Sequence, residues 1–165
     1  MKTKGFTLIE LIVVIVILGV LAATAAPKFI NLKSDAQTAT LEAIKASMEG
    51  AAALVHSKSL IKGNHKEAFA FPPPSPSVNL GGTSGNISVH YGYPLNDSSE
   101  WNRLIEYDST VFNIGATGTS GSASVVIYPV DITPTPNSIT DACIVYYTKS
   151  SGIGQKPTIQ VNPCD

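Results

Sequence analysis

The stretch Phe6-Thr-Leu-Ile-Glu-Leu-Ile-Val-Val-Ile-Val-Ile-Leu-Gly-Val-Leu-Ala-Ala-Thr-Ala-Ala26 decides the fold. It is about 21 residues long, and at about 1.5 Å per residue a helix of that length crosses a hydrocarbon core of about 30 Å. Glu10 is its single charge. The basic leader Met1-Lys-Thr-Lys-Gly5 precedes it, and Lys2 and Lys4 orient the span with its N-terminus in the cytoplasm and the bulk of the chain outside. A carboxylate inside such a span costs roughly 2.5–3.5 kcal/mol at mid-membrane, so Glu10 reads as a functional residue.

Lys4-Gly5-Phe6-Thr7-Leu8-Ile9-Glu10, followed by the apolar run, resembles the N-terminal signature of type IV prepilins and their pseudopilin relatives. The resemblance implies removal of residues 1–5 by a membrane-embedded prepilin peptidase. Cleavage would fall between Gly5 and Phe6, with N-methylation of the new terminus at Phe6. It also gives Glu10 an assembly role, as the carboxylate that meets the N-terminal amine of the adjacent subunit. Physics supports that role: no cation of its own chain lies at helical spacing from Glu10. Two unit charges about 4 Å apart gain on the order of 4 kcal/mol at an effective dielectric near 20, which offsets the burial penalty. An ordinary secretory signal peptide cut at Ala23-Thr24-Ala25 is the plainer alternative, but the apolar run exceeds the usual length and contains Glu10.

Beyond the run, the remainder of the 165 residues is polar and rich in Gly, Pro, Ser and Thr, enough for one domain of modest core. The net charge of −1 gives no electrostatic case for nucleic acid. Cys143 and Cys164 are the two cysteines, and outside the cytoplasm they read as one disulfide. Closing a loop of about 20 residues stabilises by roughly 3 kcal/mol on the chain-entropy account.

Apolar residues continue past Pro27 at helical spacing, as Leu41, Ile44, Met48, Ala52 and Val55, with Asp35, Gln37, Thr40, Glu42, Lys45 and Glu49 between them. One helix is therefore expected from Phe6 to Ile61, apolar all round over 6–27 and amphipathic over 28–62, with Gly63 as its stop. Gly19 and Pro27 bracket a stretch of weaker helix, read as a mild kink or, from the resemblance, as a place that unwinds in the filament. Residues 63–165 are expected to form the globular β domain. Phe71-Pro-Pro-Pro-Ser-Pro76 is an extended connector and Leu80-Gly-Gly-Thr-Ser-Gly85 a flexible loop. Strands are expected at 87–91, 123–128, 142–148 and 158–161, with turns at 113–122 and 133–138 and a short helix at 100–107 facing Trp101, Leu104 and Ile105 to the core. These spacings favour hairpins over βαβ units, so the fold class is α+β: a long N-terminal helix packed on a small antiparallel sheet.

The resemblance reaches further into the chain. Tyr91-Gly92-Tyr93-Pro94, Trp101-x-x-Leu-Ile-Glu106 and Cys143-Ile-Val-Tyr-Tyr147 are similar to the globular domain of mannose-sensitive haemagglutinin (MSHA) pilins, and the 143–164 segment to their disulfide-bounded region. This implies a homo-oligomeric helical filament, inner-membrane pilus assembly machinery as a partner, and attachment and biofilm roles through a surface or carbohydrate receptor. A major pseudopilin of a type II secretion system is the alternative. No cofactor and no catalytic set is expected: His56, His65 and His90 lack zinc spacing, and the Gly81–Gly85 loop lacks a phosphate-binding lysine. His56 and His65 read as exposed polar residues. Asp131 and Asp141 flank a Pro-rich loop and could hold calcium, though solvated turn carboxylates are the favoured reading.

Overall fold

The computed structural model describes residues 5–71, 74–82, 84–118 and 123–165. Its longest element is helix α1, Leu8–Lys62, 55 residues. Both ends have local causes. Thr7 has extended backbone and its hydroxyl accepts the Glu10 N–H, which places the start at Leu8 rather than Phe6. Gly63 adopts φ +84°, and its N–H donates to the Ser59 and Leu60 carbonyls, closing the last turn. The backbone is helical through both Gly19 and Pro27, without a break in the assigned helix.

The far half of α1 buries one stripe: Leu41, Met48, Ala52, Val55 and Ser59 are all covered. They recur every three, four or seven residues, so they line one side of a helix. The surface they meet is a four-stranded antiparallel sheet in the order β4 (Phe112–Thr117), β5 (Ser124–Pro129), β6 (Ile144–Thr148), β7 (Thr158–Asn162). A smaller antiparallel sheet of β1 (Ser77–Asn79), β2 (Asn86–His90) and β3 (Tyr93–Pro94) covers the end of the helix, where Val55 packs with Val78, Ile87 and Val89.

All six residues of β5 are buried because both of its faces are covered. Val125 and Ile127 join Leu41, Met48, Trp101 and Tyr147 under α1, whereas Val126 and Tyr128 pack with Ile144, Tyr146 and Ile132 on the opposite face. An uninterrupted apolar run is the pattern such a strand requires. Helix α2 (Ser98–Leu104) is capped by Asp97, whose carboxylate accepts the Ser99 N–H, and it delivers Trp101 to the core. There the Trp101 indole lies 4.5 Å from the Tyr147 ring and donates to the Leu95 carbonyl. The Tyr147 hydroxyl donates to the Pro94 carbonyl at 2.5 Å, which ties the small sheet to the large one.

The α+β class and the four expected strands match the structure, as does the placing of Trp101 and Ile105. The expected turn over 113–122 is corrected: residues 113–117 belong to β4, which pairs with β5 over six positions. Gly115 and Asn113 are poor strand formers, but an apolar central strand offers a full ladder of backbone partners, and pairing outweighs propensity. Strands β1 and β3 also escaped the sequence reading. They are three and two residues long, too short for a period to register.

The two ends of the 80–85 loop are tied down. Leu80 N–H donates to the Gly85 carbonyl, and the Arg103 guanidinium reaches the Ser84 and Asn86 carbonyls from α2. Cys143 and Cys164 form a disulfide across 21 positions. The closed segment is fastened to α1 by the Cys164 N–H, which donates to the Thr38 hydroxyl.

Candidate assembly site at the N-terminus

Residues 5–7 precede the helix, so the Gly5–Phe6 bond lies in non-helical backbone and both residues are exposed. Lys2 and Lys4 lie outside the described residues. From Leu8 to Ala25 the helix has a mean hydropathy of 2.8 and none of its residues is buried. By length and composition this segment can cross a membrane. Its apolar surface is too large and continuous to belong in water.

Glu10 sits one turn into this segment with a partner that the sequence reading missed. Its carboxylate accepts the Thr7 N–H at 2.8 Å and the Thr7 hydroxyl at 2.7 Å, while the Glu10 N–H donates back to the Thr7 hydroxyl oxygen at 3.3 Å. This reciprocal arrangement is a capping box, and the spacing Thr-x-x-Glu is its sequence signal. The isolated carboxylate is therefore held at the head of the helix, against the positive end of the helix dipole. Phe6, Ile9, Val13 and Val14 form an open apolar groove of about 320 Å³ beside it.

The other chemistry-bearing residues are committed elsewhere in the domain. Asp131 accepts Lys33 at 2.7 Å and the Gln37 amide, which clamps the β5–β6 loop to α1. The Lys33 hydrogen bond holds its carboxyl below the usual carboxylate range. Asp141 accepts the Asn137 and Ser138 N–H groups and so closes its own turn. Among the described residues no group of three or more His, Cys, Asp or Glu side chains is placed to hold a metal.

The reading of His56 and His65 as exposed is corrected by a tight turn. Tyr91 and Gly92 link β2 to β3 with φ of +49° and +83°, the backbone of a two-residue hairpin turn that requires positive φ at both positions. His56 stacks on Tyr93 with ring centroids 4.2 Å apart, and a Cβ on Gly92 would lie 2.8 Å from its Nδ1 and 3.0 Å from the His65 Cβ. Only glycine meets both demands, which is a physical reason for the Tyr-Gly-Tyr-Pro sequence.

Two similarities to known proteins bear on the N-terminal site. The prokaryotic N-terminal methylation motif matches residues 1–26. The type IV narrow pilus major component PilA5 of Thermus thermophilus is 48% identical over 54 residues, which cover 33% of this chain and 47% of that protein. The chain thus matches about half the length of this relative. No solved structure matches significantly. The motif, the partial likeness to a pilus subunit and the pilin-like α+β architecture together support a type IV pilin.

Proposed function

We propose that the chain is a structural subunit, of the major kind, of a type IV pilus of the MSHA type that serves surface attachment and biofilm formation. One observation carries the reading: an uncovered apolar helix, Leu8–Ala25, headed by a carboxylate that a single threonine holds in place. Type IV pilins are inserted in the inner membrane and then assembled into extracellular pili, and such a helix fits both surroundings. Lipid covers it first; the same segments of neighbouring subunits cover it in the filament, and either removes it from water.

In this reading the prepilin peptidase cleaves after Gly5, the Phe6 amine is methylated, and Glu10 meets the amine of an adjacent subunit. A carboxylate offers about four acceptor positions, so Glu10 can take an ammonium donor while keeping its bonds to Thr7. The Cys143–Cys164 disulfide and the engagement of Asp131 by Lys33 support a pilus over a calcium-binding secretion pseudopilin. The exposed residues of segments 72–85 and 110–122, which include strands β1 and β4, are the candidates for receptor contact; residues 72, 73, 83 and 119–122 lie outside those described.

Intact-mass spectrometry of protein sheared from cell-surface filaments tests this directly. The expected species begins at Phe6, carries one added methyl group and lacks the two hydrogens of a reduced cysteine pair. A species trimmed after Ala25 and recovered as a free secreted monomer would overturn the reading. Glu10→Ala is expected to leave insertion intact and to reduce the number of filaments counted by electron microscopy.

A further inference from the structure

The three histidines of the chain are 9 and 25 residues apart in sequence, yet all three touch or flank the Tyr91–Gly92 turn. His90 opens it and stands edge-on to Tyr91, 4.4 Å between ring centroids. His56 supports it from α1 through its Nδ1, 3.3 Å from the Gly92 carbonyl oxygen, and through its stack on Tyr93. His65 closes it from the segment that follows α1. That segment, residues 64–71, is a strap laid across the hairpin. Its first residue is anchored, Asn64 donating to the Ser77 carbonyl and accepting the Ser59 hydroxyl. Beyond it the Tyr91 N–H donates to the Glu67 carbonyl at 2.8 Å, and the Phe69 N–H donates to His90 Nδ1 at 2.9 Å.

The bond from Phe69 to His90 depends on protonation. An imidazole nitrogen accepts only while it carries no proton, so the bond requires neutral His90 with its proton on Nε2. Nδ1 of His65 is buried and has no hydrogen-bond partner among the described residues, so a proton placed there would be a buried donor without an acceptor. His56 differs: its Nδ1 faces a carbonyl, so it donates there in either charge state.

We propose that the strap 64–71 is an acid-released latch, closed on the β2–β3 hairpin by neutral His90 and loosened when that ring is protonated. The charges around the cluster act in the same sense. Lys149, from the loop after β6, opposes a positive His90, and burial opposes it more strongly; together they hold the ring below the usual histidine value. Glu49 of α1 and Lys156 before β7 line the groove of about 590 Å³ beside His56 and Tyr93, and their opposite signs leave that side without a dominant charge. The hydroxyl of Tyr147, pushed up by burial, stays neutral below the small sheet. The strap itself adds Lys66 and Glu67, adjacent charges of opposite sign.

The sign follows from the direction of the shift. His90 binds its proton more weakly folded than unfolded, so its contribution is fully present above the unfolded value of about 6.5 and is lost as pH falls through the lower folded value. Release would free the strap up to the exposed Phe71.

Peptide-resolved hydrogen–deuterium exchange on the full chain in detergent micelles, at about pH 7.5 and about pH 5 and corrected for intrinsic rates, tests the latch. Peptides covering 64–71 are expected to lose protection several-fold at the lower pH while peptides covering 41–55 stay protected. His90→Asn keeps an acceptor that does not titrate, so its strap should be equally protected at both values. His65→Gln should keep the wild-type response. An unchanged strap in the wild type overturns the proposal; so does a response that survives His90→Asn or vanishes in His65→Gln. Should His90→Asn fail to fold, nuclear magnetic resonance of the wild type decides. The Phe69 amide and the His90 ring must titrate with one midpoint, and separate midpoints refute the latch.

Discussion

The two halves of α1 obey opposite rules within one continuous helix. From Leu8 to Ala25 every residue is exposed although nearly all are apolar; from Leu41 to Ser59 a single stripe is buried, and the other side mixes Glu42, Ser47, Glu49, Ser57 and Lys58 with alanines and the exposed Leu54. Apolar character all round a helix marks a surface whose covering lies outside the chain, whereas a stripe marks one covered by the chain itself. The same backbone therefore serves two surroundings, and the change occurs where Lys33 and Gln37 are clamped by Asp131 and Thr38 by Cys164.

Matched truncations on the two halves give the largest expected effect. Met48→Ala should destabilise the domain by about 2–5 kcal/mol, because the side chain is fully buried against β5 and Tyr147. Val14→Ala should leave the unfolding midpoint of the domain unchanged, since Val14 touches no part of it. Urea unfolding of the full chain in detergent, followed by the fluorescence of Trp101, measures both; equal losses would erase the distinction between the halves.

A smaller effect is expected at the top of the packed half. Gly92→Ala places a methyl group against His56 and His65 in a left-handed backbone conformation and should cost about 1–3 kcal/mol in the same assay. Comparing it with Gly19→Ala sharpens the contrast, since a Cβ at Gly19 meets nothing within 4 Å. A loss at Gly19 as large as at Gly92 would contradict it.

The smallest effect tests the clamp where the halves meet. The Lys33–Asp131 pair is largely exposed, so Asp131→Asn should cost less than about 1 kcal/mol at neutral pH. The carboxyl of Asp131 lies below its ordinary value of 3.8 chiefly through the Lys33 hydrogen bond. Its stabilisation is thus present above that value and disappears as pH falls through the lower folded one. Acid titration of the unfolding midpoint should show a shallower slope in Asp131→Asn, and identical slopes would remove Asp131 as a clamp.

Much of this could be read from the sequence wherever the signal is local. The length of the apolar run, the placing of Glu10 inside it, the amphipathic continuation and the apolar strands β5 and β6 each follow from neighbours within a few residues. Thr7 is equally local: its Thr-x-x-Glu spacing is visible in the sequence, within the Gly5-to-Glu10 signature. Strand β4 was hidden for a different reason. Asn113 and Gly115 argue against a strand, and only the demand of β5 for an edge partner makes one.

By itself the sequence determined a membrane-length helix with an acid near its head, followed by a helix half that needs a sheet to lie on. Tertiary structure alone decided the meeting of His56, His65 and His90 at one turn, the pairing of Lys33 with Asp131, and the sealing of both faces of β5. Helical and strand periods record which side of a single element is greasy, and they act over a few residues. Contacts between residues tens of positions apart arise only when elements pack, and these set the turn geometry, the clamp and the charge environment of the histidines.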